Sequence, residues 1–268
     1  MQRLPAEIAP VIQYGLIGFP LEHSKSPEWF SKRFSELSGP ERSYRLFCLK
    51  NLDHFDRFLA EYPFLSGLNV TIPYKEQILP LLTGLDSSAQ KTGAVNTITI
   101  SRVSGRHILT GYNTDWAGFF DTIPPEMQGE RALILGSGGS SKAVGYALKR
   151  AGIPFLIVSR SKTGPGIIAW EELSDEMVRS HRFIINTTPL GMFPEMNQAP
   201  PLPYRAITPD HHLYDLIYNP EMTVFLKTGR EKNARTTNGL RMLHNQATRT
   251  LEIFLRHEQE AQLYQASG

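Results

Sequence analysis

The segment RALILGSGGSSKAVGYALKRAGIPFLIVSRS, residues 131–161, decides how the rest of the chain is read. ALIL (132–135) is a buried apolar run of strand length, and PFLIV (154–158) is a second. Between them Gly136-Ser137-Gly138-Gly139 breaks the pattern, and a helical stretch follows with small residues, Ala143 and Gly145, to pack close to the strand. Strand, glycine turn, helix and strand form a βαβ unit, which implies a parallel sheet with a right-handed crossover. Glycines let the backbone turn sharply and approach a pyrophosphate, while the helix start supplies free N–H groups and a positive dipole end. The turn is read as a dinucleotide site, the alternative being a tight turn without a ligand. In NAD binders an Asp or Glu at the end of the second strand bonds the ribose 2′-hydroxyl. Here that place reads Ser159-Arg160-Ser161-Lys162. A guanidinium, two hydroxyls and an ammonium suit a 2′-phosphate, so NADP is favoured over NAD. The bland alternative is that Arg160 and Lys162 are solvated loop charges.

Working outward, short apolar runs alternate with helical patterns throughout. YGLIG (14–18), SYRLFCL (43–49) and SGLNVTI (66–72) read as strands. Ser26-Pro27-Glu28 reads as a helix start, with Ser26 as cap and Pro27 at the first helical position. NLDHFDRFLAEY (51–62) reads as an Asn-capped helix, KEQILPLL (75–82) as another, and AVNTITI and HILTGY as strands across the SRVSGR turn. TDWAGFFDTI (114–123) is expected to be helical, and the Pro124-Pro125 connector is the candidate inter-domain joint. RFIINTT and HLYDLIY are further strands, a helix is expected to start at Pro220, and NGLRMLHNQATRTLEIFLRHEQEAQ is a long helix. Alternating β and α segments in both halves imply an α/β protein.

The bulk numbers exclude several classes. The 268 residues are 41% hydrophobic, enough for one or two cored domains. The 28 basic and 26 acidic residues leave a net charge of +2, without the concentrated basic face of a nucleic-acid binder. Cys48 is the single cysteine, so no internal disulfide or cysteine zinc cluster forms, and a reducing compartment fits best. The eight histidines show no ligand spacing, so no metal is expected. No apolar run approaches the roughly 18 residues of a membrane span, and the N-terminus has no signal-peptide pattern. These features read as a soluble, cytoplasmic globular protein with no nucleic-acid or membrane partner. No helix face reads as an interface, so both monomer and homodimer stay open.

Polar residues collect where strands should end: Ser24, Ser26, Asn69, Thr71, Lys75, Asn96, Thr97 and Asp115. Open α/β sheets bind ligands at the carboxyl ends of their strands. Such a set suits a small ligand with several hydroxyls. Lys75 and Asp115 are the oppositely charged pair near these positions, able to stabilise an alkoxide or pass a proton. A lone lysine at a helix start is more often a surface residue, and the two serines also read as helix caps.

Eight ordered motifs resemble the shikimate dehydrogenase family: HSKSP (23–27), GLNVTIPYKE (67–76), GAVNTI (93–98), GYNTDWAGF (111–119), GSGGSSKAV (136–144), NTTPLGM (186–192), DLIYNPEMTVFL (215–226) and NGLRMLHNQA (238–247). They run from about Tyr14 to about Leu255. The resemblance implies an N-terminal α/β substrate-binding domain (1–115) and a Rossmann-like, doubly wound NADP-binding domain (116–237). It also implies a final helix (238–268) returning to the substrate domain. The implied reaction is reversible NADPH-dependent reduction of 3-dehydroshikimate to shikimate, in aromatic amino-acid biosynthesis.

By the same resemblance, Ser24 and Ser26 hold the substrate carboxylate with Thr71 and Tyr218 nearby. Asn69, Asn96, Asp115 and Gln246 bond the ring hydroxyls, and Lys75 and Asp115 form the catalytic pair. Gly136, Gly138, Gly139, Ser140 and Ser141 wrap the pyrophosphate, and Ser159, Arg160 and Ser161 face the 2′-phosphate. Thr188, Gly239 and Met242 lie near the nicotinamide.

The chain departs from the family pattern in three places. Asn-Arg-Thr becomes Ser159-Arg160-Ser161, the second arginine becomes Gly164, and Lys162 is the available substitute. Arg241 replaces a glycine, contacting phosphate, another helix or solvent. Phe19 replaces a common asparagine, read as a packing change. Two competing functions remain: a quinate or quinate/shikimate dehydrogenase, and a non-catalytic ligand sensor. The first is disfavoured by the missing acid after the second cofactor strand and by Ser26 in place of threonine. The second is disfavoured by the presence of both Lys75 and Asp115.

Overall fold

The computed structural model describes residues 11–22, 24–161 and 164–266. Two compact units are present: 1–87, 95–112 and 250–268 form the first, and 88–94 with 113–249 the second. In chain order the elements leading into and through the first unit are β1 (Ile12–Gly18), α1 (Ser26–Ser35), β2 (Arg42–Cys48), α2 (Phe55–Glu61), β3 (Leu65–Val70) and α3 (Tyr74–Gln77). Next come β4 (Gly84–Leu85), α4 (Ser87–Thr92), β5 (Thr97–Val103) and β6 (Arg106–Tyr112). Then follow α5 (Asp115–Phe120), β7 (Ala132–Leu135), α6 (Gly139–Ala151), β8 (Phe155–Ser159), β9 (Ile167–Ala169) and α7 (Asp175–Ser180). The chain ends with β10 (Phe183–Asn186), β11 (His212–Asp215), α8 (Val224–Glu231), β12 (Arg235–Thr237) and α9 (Leu240–Ala266).

The first unit is a mixed sheet ordered β2-β1-β3-β5-β6-β4. β1 pairs in parallel with β2 and β3, and β3, β5 and β6 run antiparallel. Ser104 and Gly105 join β5 to β6, both with positive φ (50° and 77°). Two such residues match the right-handed strand twist, which makes the turn between these strands tight. Its core is aromatic: Tyr14 stacks on Phe254 of α9 at 4.3 Å between centroids, and Phe30 stacks on Tyr44 at 4.3 Å.

The second unit is a six-stranded sheet ordered β12-β11-β10-β7-β8-β9, parallel throughout. Counted within the unit this is the 3-2-1-4-5-6 order of the doubly wound dinucleotide fold. Successive side chains alternate between two cores, as a sheet covered on both faces requires. Ala132, Ile134, Phe183, Ile185 and Tyr214 pack with Val144 and Leu148 of α6. Leu133, Leu135, Ile184 and Leu213 pack with Phe225 and Leu226 of α8.

Several local expectations are corrected. Ser26 does not cap α1: Lys25 holds the N-cap position, its side chain not capping the helix, and the Ser24 hydroxyl accepts the Ser26 N–H at 3.3 Å. Asn51 does not cap α2; its Oδ1 accepts the Asp53 N–H at 3.2 Å, making a local turn, and the helix begins at Phe55. α8 begins after Thr223, whose hydroxyl accepts the Leu226 N–H, rather than at Pro220. KEQILPLL splits into α3 and a 3₁₀ turn (Leu79–Leu81), because Pro80 has no N–H to continue an α-helix. Pro124-Pro125 lies within the second unit, opening a 3₁₀ turn, and is not the joint. Phe19 is 42% exposed, so its substitution is not a core packing change.

Candidate functional site

In the first unit the polar set gathers at the carboxyl ends of β1 and β3. The Thr71 N–H donates to Ile17 O (3.0 Å), the Phe19 N–H to Ile72 O (3.0 Å), and the Tyr74 N–H to Thr71 O (2.9 Å). Thr71 and the first turn of α3, with Lys75, are thereby held beside the end of β1. The Val95 N–H donates to Lys75 O (2.8 Å), and the Val70 N–H to Asn96 O (2.8 Å), which brings GAVNTI alongside GLNVTIPYKE. Lys75 is half-buried and Asn96 buried.

Asn69 lies inside this group. Its Oδ1 accepts the Tyr44 hydroxyl at 2.7 Å, and its Nδ2 donates to Asn96 O (3.1 Å), Thr97 Oγ1 (3.3 Å) and Thr250 Oγ1 (3.3 Å). Sequence reasoning missed Tyr44 and Thr250. Tyr44 was visible only as one apolar-side residue of a strand, and Thr250 as one position on a long helix. Burial raises the Tyr44 phenol well above its usual pKa, and hydrogen bonding from Ser26 works against that rise.

Asp115 and Gln246 belong to the second unit. Asn113, rather than Thr114, caps α5 with its side chain: its Oδ1 accepts the Trp116 N–H at 3.2 Å. Asp115 is the buried first residue of that helix. The Thr114 hydroxyl donates to Gln246 Oε1 at 3.3 Å. A Cβ on Gly118 would stand 2.9 Å from Gln246 N and from Met242 O, so glycine is needed for α9 to lie against α5. This close approach brings GYNTDWAGF and NGLRMLHNQA together. Met242 itself packs in the core with Phe119 and Tyr214. Arg241 is exposed; burial pushes the Tyr214 phenol up to about 12, with the Thr122 hydrogen bond and the Arg241 charge working against that rise.

The glycine turn sits at the switch point, where β7 is flanked by β8 and β10. Gly136 has φ +109°, and a Cβ there would lie 2.7 Å from Thr187 Oγ1, so no other residue fits. Gly138 is the N-cap of α6 and brings no side chain to it; a Cβ at Gly138 meets nothing within 4 Å. Ser141 Oγ, in a residue 1% exposed, has no hydrogen-bond partner. An open glycine face, an uncapped helix start and an orphaned hydroxyl fit a pyrophosphate.

At the end of β8 the buried Ser159 hydroxyl pairs with Ser137 Oγ at 2.8 Å and accepts the Ser161 N–H at 3.3 Å. It braces the glycine turn against the following loop, leaving Arg160 and Ser161 exposed. Lys162 lies outside the described residues. The half-buried Thr188 follows β10, and the Gly239 N–H donates to Ile217 O at 3.0 Å, setting the start of α9 against the segment after β11 that carries Tyr218. No group of metal-ligating side chains occurs among the described residues, nor a helix long and apolar enough to cross a membrane.

This sheet order, with a glycine-led helix start at the switch point, defines the class as nicotinamide-dinucleotide oxidoreductases. Residues 16–98 match the family model described as shikimate dehydrogenase substrate binding domain. A shikimate dehydrogenase (NADP(+)) of Carboxydothermus hydrogenoformans is 39% identical over 246 residues, covering 85% of this chain and 86% of that protein. Shikimate dehydrogenase 1 of Peptoclostridium difficile superposes with a TM-score of 0.78 at 35% identity, covering 91% of each chain. The Thermus thermophilus enzyme, solved with NADP(H) and shikimate, gives 0.75 at 30%, covering 91% of this chain and 93% of that one. The chain belongs to the shikimate dehydrogenase family.

Proposed function

We propose that the chain is an NADP-dependent shikimate dehydrogenase, interconverting 3-dehydroshikimate and shikimate. The observation that carries this reading is the 39% identity over 246 residues to an NADP-dependent shikimate dehydrogenase. The acid-free end of β8 supports the 2′-phosphorylated cofactor.

NADPH, when bound, supplies the hydride. Gly138, Gly139, Ser140 and Ser141 hold its pyrophosphate, and Arg160 and Ser161 its 2′-phosphate, with Ser159 bracing them. As hydride reaches the carbonyl carbon, negative charge grows on its oxygen. The Lys75 ammonium stabilises that charge more in the transition state than in the ground state and gives the oxygen its proton. Asp115 accepts from the neighbouring ring hydroxyl and orients it. Ser24 and Ser26 present hydroxyls to the carboxylate at the start of α1, where the helix dipole adds attraction. Asn96 and Gln246 bond ring hydroxyls, with Thr71 and Tyr218 completing the carboxylate end.

The test is a spectrophotometric assay crossing shikimate and quinate with NADP and NAD. Shikimate with NADP should be the fastest pair. A preference for NAD would sink the reading of the Arg160 loop, and a preference for quinate the reading of the substrate set.

A further inference from the structure

Asp215 is a carboxylate with no exposed surface and no part in the chemistry above. It ends β11 at the carboxyl edge, in register with Asn186 of β10, which is in register with Leu135 of β7. Three donors converge on it: Thr223 Oγ1 at 2.6 Å, Asn186 Nδ2 at 3.0 Å and the Ile217 N–H at 3.0 Å. Asn186 passes the contact on. Its Oδ1 accepts both the Thr188 N–H (3.0 Å) and the Thr188 hydroxyl (2.7 Å). Thr188 in turn lies over the glycine turn: a Cβ on Gly136 would be 3.1 Å from its Cγ2.

An amide side chain can be turned over at little steric cost, exchanging its donor and acceptor ends. An ionised carboxylate can only accept. Asp215, at 3.0 Å the shorter of the two acceptors on the Asn186 NH₂ (Leu190 O lies at 3.4 Å), therefore draws that NH₂ toward itself and turns the Asn186 oxygen toward Thr188. The opposite orientation would set NH₂ against the Thr188 N–H, donor facing donor. With its hydrogen committed to Asn186, the Thr188 hydroxyl can only accept further bonds: it takes the Leu190 N–H at 3.3 Å and keeps one lone pair, the complement of a carboxamide N–H.

We propose that Asp215 is a positioning residue for the nicotinamide end of the cofactor, acting through Asn186 to hold Thr188 and the loop after β10. Burial pushes the Asp215 carboxyl up to about 7 against the three hydrogen bonds, so its ionised form is held at a desolvation cost. The inference rests on the reading of NADP at the glycine turn, and its test separates the two.

Binding of NADP and of 2′-phospho-ADP-ribose, which lacks nicotinamide, is measured by calorimetry at pH 8. The wild type, Asp215→Asn, Asp215→Leu and Asn186→Ala are compared. Wild-type protein that binds neither ligand refutes the cofactor reading itself. Asp215→Asn can still turn its oxygen to Asn186 and Ile217, and should bind NADP as the wild type does. Asp215→Leu should bind NADP about ten-fold more weakly, the equivalent of one lost hydrogen bond, and 2′-phospho-ADP-ribose unchanged. Should the leucine variant fail to fold, Asn186→Ala cuts the same relay and leaves Asp215 bonded to Thr223 and Ile217. It should show the same selective loss. Equal loss of both ligands, or loss of neither, overturns the proposal.

Discussion

Glu258, on the last part of α9, joins that helix to the first unit through a buried ion pair. Its Oε1 accepts the Tyr14 hydroxyl (2.7 Å) and Arg42 Nε (2.8 Å), and its Oε2 accepts Arg42 Nη2 (2.7 Å). The two charged side chains are 6% and 5% exposed. Hydrogen bonding to Glu258 is the largest influence on the Arg42 guanidinium and raises its pKa. Replacing Glu258 with Ala strands a cation in a nearly dry site and leaves the Tyr14 hydroxyl without its acceptor. Breaking a buried pair in this way costs about 3–5 kcal/mol. Arg42 keeps its Nη1 bonds to Pro40 O (3.0 Å) and Ser38 O (3.5 Å), which places the expected loss near the lower end. About 3 kcal/mol corresponds to a fall in Tm of roughly 6–12 °C for a chain of this size. The assay is thermal and urea unfolding followed by circular dichroism. The double variant Arg42→Met with Glu258→Leu should recover most of the loss, because both charges leave together. A Glu258→Ala protein within about 1 kcal/mol of wild type would refute the reasoning, since so small a loss is that of an exposed pair. So would a double variant as unstable as the single one.

Lys75→Ala should lower turnover by about 100-fold or more, the scale of a lost transition-state contact, while the thermal melt stays close to wild type; near-normal turnover removes the catalytic assignment. Tyr44→Phe removes the hydroxyl that donates to Asn69 Oδ1, and should raise KM for shikimate while costing about 1–3 kcal/mol of stability. An unchanged KM would make Tyr44 a core residue only. Asp215 predicts a pH dependence of stability. Its pKa is raised in the folded state to about 7 from 3.8, so between those values the folded chain holds a proton that the unfolded chain has released. Its contribution is fully present below pH 4 and is lost as pH rises toward 7, at about 1.4 kcal/mol per unit. Asp215→Asn should flatten that slope in urea titrations from pH 5 to 8; an identical slope in both proteins would show that Asp215 titrates as an ordinary carboxylate.

The linear sequence carried the glycine-turn unit, β7, α6 and β8, almost whole. ALIL, the glycine turn and PFLIV specify strand, turn, helix and strand by local rules, because apolar period, glycine freedom and helix-start chemistry act over a few residues. The absence of an acid at Ser159 was equally legible, since the position is counted from the turn. Short elements escaped, among them β4, β9, α7 and β12, because two to six residues hold too little periodicity to be seen. Helix starts were misplaced by one to four residues at α1, α2 and α8, where Ser24, Asn51 and Thr223 made local bonds that composition does not rank.

What only the tertiary structure decided is which polar groups meet. Tyr44, Asn69, Thr97 and Thr250 are far apart in the chain and form one hydrogen-bonded cluster. Asp215 and Asn186, separated by 29 positions, come into register through a parallel pairing. Side-chain type and spacing fix local conformation, whereas the pairing of distant donors and acceptors depends on strand order and register. Those follow from burying every apolar face at once, a condition on the folded chain that no short window of sequence contains.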